Sequence, residues 1–175
     1  ERSRVSSITA PWGDEHDMEY DPANRRTELT NASGRETLQS YVDDRLTQLI
    51  HRQNGASVAE SGYAYAPDGS ISEDNDLLVP TLSRSFDYDA ENRLLMVSEG
   101  LPSSQGGTPI PVEDYSYDET NNRTSSHLSP TYVVDDHNRL LEDVEFIYAY
   151  DEKGNRTSRT DKVSGVITSY IYSSV

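Results

Sequence analysis

Apolar and polar positions alternate along much of the chain with a period of two, the spacing of a strand with one dry face. Phe86-Asp87-Tyr88, Tyr115-Ser116-Tyr117 and Tyr148-Ala149-Tyr150 each place two rings on one side of such a strand. Every run stops at Asp and, a few residues on, at Asn or Gly-Asn. Asx side chains bond nearby backbone amides and tolerate left-handed dihedrals, as glycine does without cost, so these are turns. A second alternating run then opens at Arg, as in Arg93-Leu94-Leu95-Met96-Val97. The pattern predicts an all-β chain of consecutive antiparallel β-hairpins.

One phrase recurs through these hairpins: an aromatic residue, an alternating residue, Tyr, Asp, a short gap, Asn-Arg and a β-favouring tail. Its copies centre on Tyr20, Asp21, Asn24 and Arg25; on Tyr88, Asp89, Asn92 and Arg93; on Tyr117, Asp118, Asn122 and Arg123; and on Tyr150, Asp151, Gly154, Asn155 and Arg156. Asp135, Asn138 and Arg139 form a copy without tyrosines, and eroded copies lie at Tyr41–Leu46 and Tyr63–Gly69. Turns are predicted at 21–24, 89–92, 118–122, 135–138 and 151–155, with Tyr20, Tyr88, Tyr117 and Tyr150 in equivalent strand positions. Longer loops are expected at 99–111, rich in Gly, Ser and Pro, and at 72–76, acidic and polar. Leu38, Tyr41, Val42, Leu46, Leu49 and Ile50 also fit one face of an amphipathic helix. Strand is the reading kept there, because 34–41 matches 165–170 and Arg45-Leu46-Thr47 matches the Arg-Leu return strand.

Composition narrows the partners. Lys plus Arg is 15 against 31 Asp plus Glu, a formal charge of −16, so nucleic acid and anionic membranes are repelled. The 12 tyrosines against 2 Phe suit half-buried strands whose hydroxyls reach water or a partner. The cations are nearly all Arg, whose planar fork fits carboxylates and aromatic faces. Each repeat arginine, Arg25, Arg93, Arg123, Arg139 and Arg156, is therefore expected to reach carboxylates or carbonyls of its own or the adjacent acidic turn and to cover a tyrosine ring. There are no cysteines for disulfides or thiolate metal sites, and no apolar run approaches a membrane span. The first residues do not read as a secretory signal, and the chain is expected to be a piece of something longer.

Candidate chemistry is sparse. Asp14-Glu15-His16-Asp17 holds competent metal ligands, but consecutive residues rarely converge on one ion. Asp87, Asp89, Glu91 and Asn92, or Asp118 and Asn121, present oxygens a calcium ion would accept, without the offsets of an EF-hand loop. No metal and no cofactor are assigned. His16, His51, His127 and His137 accompany many Ser and Asp residues, yet no nucleophile elbow or glycosidase-type carboxylate pair is present, so the chain is read as a non-enzyme. Tyr148, Tyr150, Tyr170 and Tyr172 could stack on sugar rings; packing between hairpins is the reading preferred. The sequons at Asn31, Asn122 and Asn155 receive no role.

Taken together, Phe86–Leu94 and Tyr148–Thr157 resemble the YD repeats of the Rhs family, and the resemblance runs from about Tyr20 to the C-terminus. The family includes bacterial polymorphic toxins, C components of insecticidal toxin complexes and teneurins. The resemblance implies a curved or spiralling sheet that is a fragment of a larger hollow shell, with 1–17 as a lead-in and 18–175 as the repeat region. It implies a structural role in enclosing or presenting a toxin or effector, outside the cell or at its surface. The implied partners are the rest of a shell, or copies of the chain through open sheet edges, and an enclosed toxin or surface glycans. The alternative is a cell-surface adhesion or carbohydrate-binding module. The family's self-cleaving motif is not matched, since Asp21-Pro22 is followed by Ala23-Asn24 without the glycine.

Overall fold

A computed structural model describes residues 4–173. It is antiparallel β-structure with two short 3-10 turns, and no α-helix occurs among the described residues. The strands are β1 Ser7–Thr9, β2 Glu15–Tyr20, β3 Arg26–Asn31, β4 Arg35–Val42, β5 Arg45–Gln53, β6 Ala56–Tyr65, β7 Ile71–Asp76 and β8 Arg84–Tyr88. They continue as β9 Leu94–Glu99, β10 Ile110–Tyr117, β11 Arg123–Ser126, β12 Val133–Val134, β13 Leu140–Glu142, β14 Phe146–Tyr150, β15 Arg156–Asp161 and β16 Ile167–Ser169. Hydrogen-bonded neighbours follow chain order, β1 to β11 in one sheet and β12 to β16 in a second. The chain groups into two compact units, Glu1–Asp87 with Val97–Ile110, and Tyr88–Met96 with Pro111–Val175.

The segment that also fitted a helix forms β4 and β5, paired from Arg35↔Gln53 to Val42↔Arg45. Its turn is two residues, Asp43 and Asp44, both at positive φ (48° and 63°). That is the geometry whose twist suits a tight hairpin, and it ends any helical continuation. Asn54-Gly55 closes β5 to β6 in the same way.

In the first unit, the predicted loop at 72–76 is instead strand β7, paired with β6 from Ser61↔Asp76 to Tyr65↔Ile71. Polarity misled the reading there because the polar groups of this strand are satisfied internally. Asn75 is buried, donates to Glu73 Oε2 and accepts from Gln105 Nε2, while the Asp76 amide donates to Ser83 Oγ. The chain leaves the sheet after β7, with a 3-10 turn at Pro80–Leu82, and again at 100–109, with another at Ser103–Gln105. The first unit's largest fully buried side chains are Pro102 and Ser83, at these excursions, and Val97 within β9. In the second unit Ser126 and Ser129 are buried, Ser126 Oγ bonding the Tyr132 hydroxyl and Ser129 Oγ donating to the Thr131 carbonyl. Elsewhere the strands are half-buried, so lateral contacts between neighbouring hairpins carry much of the cohesion.

Candidate functional site

The repeated turns are superimposable in their bonding. Take the turn aspartate as position zero. Its amide donates to the carbonyl at +4 for Asp21, Asp89, Asp118, Asp135 and Asp151, at 2.9–3.0 Å. The amide at +3 donates back to the aspartate carbonyl, and the +3 residue is left-handed: Asn24, Asn92, Asn121, Asn138 and Gly154, at φ 72°, 60°, 68°, 61° and 83°. Asn and Gly occupy this position because they tolerate such a backbone. The residue at −1 then pairs with the residue at +5, as in Tyr20↔Arg26, Tyr117↔Arg123, Val134↔Leu140 and Tyr150↔Arg156, and a register shift follows each time. The eroded copy Ala66–Ser70 keeps the backbone pattern, with Gly69 at +3 and Tyr65↔Ile71 paired.

The aspartate carboxylate closes the turn. One oxygen accepts the +4 amide, at 2.8–3.0 Å in all the turns with Asp at zero. The other accepts the +4 side chain: Nε of Arg25, Arg93 and Arg139 at 2.6–2.7 Å, or Nδ2 of Asn122 and Asn155 at 2.9–3.0 Å. Donors aimed at the ionised form lower a carboxyl pKa. The Arg139 guanidinium and then its amide hold Asp135 down to about 2. For Asp21 the Arg25 amide leads in lowering the pKa; for Asp118 and Asp151 the Asn side chains lead. At Asp89 burial pulls upward most strongly, yet the donors of Arg93 and the Glu91 amide together leave the pKa lowered.

From each +4 arginine the contact continues to the next hairpin. Arg93 lies 4.8 Å over the Tyr117 ring, and its Nη1 donates to the Asp118 carbonyl and to Asn121 Oδ1. The Tyr117 hydroxyl returns a bond to the Leu94 carbonyl at 3.0 Å. Arg25 repeats this over Tyr41, whose hydroxyl donates to the Arg26 carbonyl, with Nη1 on Asp44 of the next turn. Arg139 repeats it over Tyr150, which donates to the Leu140 carbonyl, with Nη1 on the Asp151 carbonyl. Arg45 covers Tyr65, which donates to the Leu46 carbonyl. Each clasp therefore joins the guanidinium of one hairpin to the ring of the next and ties that ring's hydroxyl back to the first.

Arg123 and Arg156 cover tyrosine rings as expected but depart from the expectation that every repeat arginine reaches carboxylates or carbonyls of its own or the adjacent turn. Their turns have the same length and backbone bonds, but Asn122 or Asn155 stands at +4 beside the aspartate and Arg falls at +5. Arg123 stacks 4.6 Å from the Tyr115 ring, and Arg156 lies 4.6 Å from Tyr170 and 5.6 Å from Tyr148. Neither forms an ion pair among the described residues.

Arg4 was not singled out by the repeat phrase, yet it covers Tyr20 at 5.7 Å, donates to the Asp21 carbonyl, and Tyr20 donates to the Val5 carbonyl. The usable signal was spacing: Arg4 stands as far before Tyr20 as Arg25 stands before Tyr41. Asn31 was likewise read only as a sequon. Its Oδ1 accepts the Ser33 and Arg35 amides and its carbonyl accepts the amide of left-handed Gly34, so it closes a turn of the same design.

Tyr148 donates to Asp143 Oδ2 at 2.8 Å; burial, then that bond, pushes its hydroxyl up to about 12. Three of the four tyrosines considered for sugar stacking, Tyr148, Tyr150 and Tyr170, have a guanidinium over the ring. The clefts between neighbouring turns are open and shallow, for example the one formed by Glu91, Arg93, Tyr117, Asp118, Glu119 and Asn121. Asp14 and His16 pair at 3.4 Å, and no group of three or more ligating side chains converges among the described residues.

No protein-family model matches the chain. Among solved structures, the Tc holotoxin pore of Photorhabdus luminescens with a TccC3 variant is similar at a TM-score of 0.57 and 13% identity, covering 90% of this chain and 12% of that one. The TcdB2–TccC3–Cdc42 crystal structure gives 0.57 and 16%, covering 88% and 10%. The TcdB2–TccC3–TEV structure gives 0.57 and 14%, covering 93% and 12%. The chain thus spans about a tenth of those chains, and the likeness extends over most of its own length. These neighbours support the Rhs/YD-repeat resemblance carried by the tyrosine-aspartate phrases, and the fold is that of a segment of such a chain.

Proposed function

We propose that this chain, with the fold of an Rhs/YD-repeat segment, is a non-catalytic piece of shell wall, 18–175 forming the repeat region, that helps enclose or present a toxin or effector outside the cell or at its surface. The observation that carries the reading is the clasp itself. The side chains that recur at fixed positions, Arg at +4 and Tyr at −1, are spent on one another and on backbone carbonyls between successive hairpins. A recurring surface held this way is suited to extending a wall, because each hairpin presents to the next the same fittings that it received.

The test is a graft. The segment of a TccC3-type chain aligned with this one is replaced by residues 4–173, and the assembled particle is assayed for shell formation and for protease protection of an enclosed passenger. Retained assembly and protection are expected. Failure to assemble, together with saturable binding of the isolated chain on a glycan array, would overturn the proposal in favour of a carbohydrate-binding module.

A further inference from the structure

Two stretches of the second unit follow one plan from a turn to the strand laid beside it. Both carry Asn, Arg and Thr at +4, +5 and +6: Asn122, Arg123 and Thr124 in one, Asn155, Arg156 and Thr157 in the other. The following strand docks in the same register, the Tyr132 amide donating to the Thr124 carbonyl at 2.9 Å and the Tyr170 amide to the Thr157 carbonyl at 3.0 Å. Two residues on, alternation brings a side chain back to the same face, and there the stretches differ: Tyr172 in one, Val134 in the other. The Tyr172 hydroxyl donates to the Arg156 carbonyl at 3.1 Å, as Tyr117 does to Leu94 and Tyr150 to Leu140. Val134 has no hydroxyl to offer, and Tyr132 shares its own with Ser126 Oγ. The Arg123 carbonyl thus accepts no side-chain donor among the described residues.

A cleft of about 380 Å³ opens at this place, with Tyr117, Tyr132, Val134 and Leu140 as its apolar lining and Arg123 and Asn138 among its polar groups. It lies where β11 ends one sheet and β12 begins the other, so no continuous ladder closes it. Asn122 Nδ2 bonds Asn138 Oδ1 at 2.9 Å and bridges the two turns, in place of the guanidinium and ring that join other hairpins. The lining holds no carboxylate, whereas the clefts beside it include Glu91, Asp118 and Glu119, or Asp151 and Glu152. Apolar walls with a few converging polar groups, at a volume near the lower end of ligand pockets (about 300 Å³), suit a single ring.

We propose that this cleft binds a phenolic ring supplied by another molecule, which takes the seat that Tyr172 fills in the sister stretch and donates its hydroxyl to the Arg123 carbonyl. The ring lies against Val134 and Leu140, and the hydroxyl completes the bond that the other hairpins make with their own tyrosines. A free phenol and a tyrosine of another polypeptide carry the same chemistry into the site. The inference goes beyond the shell-wall reading and does not rest on it.

The test is a titration of the isotope-labelled chain with p-cresol, the tyrosine side chain without its backbone, followed by amide chemical shifts. Saturable shifts confined to the neighbourhood of Arg123, Thr124, Val134 and Leu140 are expected. Toluene, which lacks only the hydroxyl, should give shifts at least about fivefold smaller at equal concentration, the loss of one hydrogen bond. Val134→Tyr supplies the phenol from within and should abolish the p-cresol response, while Val134→Ala, which leaves the seat open, should retain it. N-acetyltyrosine amide separates the sources: shifts at the same amides extend the site to tyrosines of other chains, and shifts with p-cresol alone restrict it to free phenols. Shifts that do not saturate or that scatter over the surface would overturn the proposal. So would an equal response to toluene, or a Val134→Tyr chain that folds and still binds p-cresol as the parent does.

Discussion

The turns at 89–93 and 118–122 share a backbone and differ by one residue in where arginine falls. In the first, Arg93 at +4 binds Asp89 with its Nε, covers Tyr117 and bonds the next turn. In the second, Asn122 binds Asp118 with a neutral amide, and Arg123 at +5 is left to the Tyr115 ring. A single spacing change thus converts a charged clasp between two hairpins into a contact within one. Charge-assisted bonds are shorter and stronger than neutral ones, which agrees with 2.6 Å at Arg93 Nε against 3.0 Å at Asn122 Nδ2.

Acid should produce the largest effect and act on both kinds of turn. Asp135, held at about 2 from an ordinary 3.8, binds its proton at higher pH in the unfolded chain than in the folded one. Its contribution is therefore complete above 3.8 and drains away as the pH falls toward 2. Asp21, Asp89, Asp118 and Asp151 are lowered in the same direction, so the losses add. Circular dichroism along a descending titration should show cooperative unfolding below about pH 4, with a shallower acid dependence for Asp135→Asn. An unchanged acid profile for that variant would remove the carboxylate from the account.

Lysine substitution separates the two arginine positions. Arg93→Lys keeps the charge but loses the planar fork that serves Asp89, Tyr117 and Asn121 at once, so a loss of about 1–2 kcal/mol is expected in chemical denaturation. Arg123→Lys forfeits only a ring contact and should cost about 0.5 kcal/mol. No loss at either position would mean that charge alone matters, and equal losses would mean that the two positions do not differ. Next in size is the hydroxyl that ties one hairpin to the previous one: Tyr117→Phe should cost about 1 kcal/mol and leave the Leu94 carbonyl to water. Amide exchange at Arg93 and Leu94 should rise with it.

The finest test exchanges the two fittings without altering length, composition or net charge. Asn122→Arg combined with Arg123→Asn puts a guanidinium at +4 beside Asp118, and the melting temperature should rise by ~3 °C. A structure of the double variant should show the new Nε on Asp118. A drop in stability would indicate that the Tyr115 stack outweighs the charged turn.

Much of this was legible in the sequence because it is local. Asp at the start, Asn or Gly at +3 and Arg or Asn at +4 specify the turns at 21–25, 89–93, 118–122, 135–139 and 151–155 through dihedral tolerance and short side-chain bonds, which need only a few consecutive residues. The period-two runs around Tyr117 and Tyr150 likewise specify strands. Distant contacts decided the rest. Residues 72–76 look like a loop until Gln105 and Ser83 arrive to satisfy Asn75 and Asp76. Arg4 has no repeat phrase about it and acquires its role from Tyr20, across a pair of strands. Composition announced that arginine would meet tyrosine and carboxylate; which ring each guanidinium covers depends on whether it stands at +4 or +5 of its turn. That offset has meaning only once neighbouring strands are laid side by side, because Arg93 at +4 meets the ring of the next strand pair, Arg123 at +5 meets a ring of its own, and Arg156 at +5 meets one on each side.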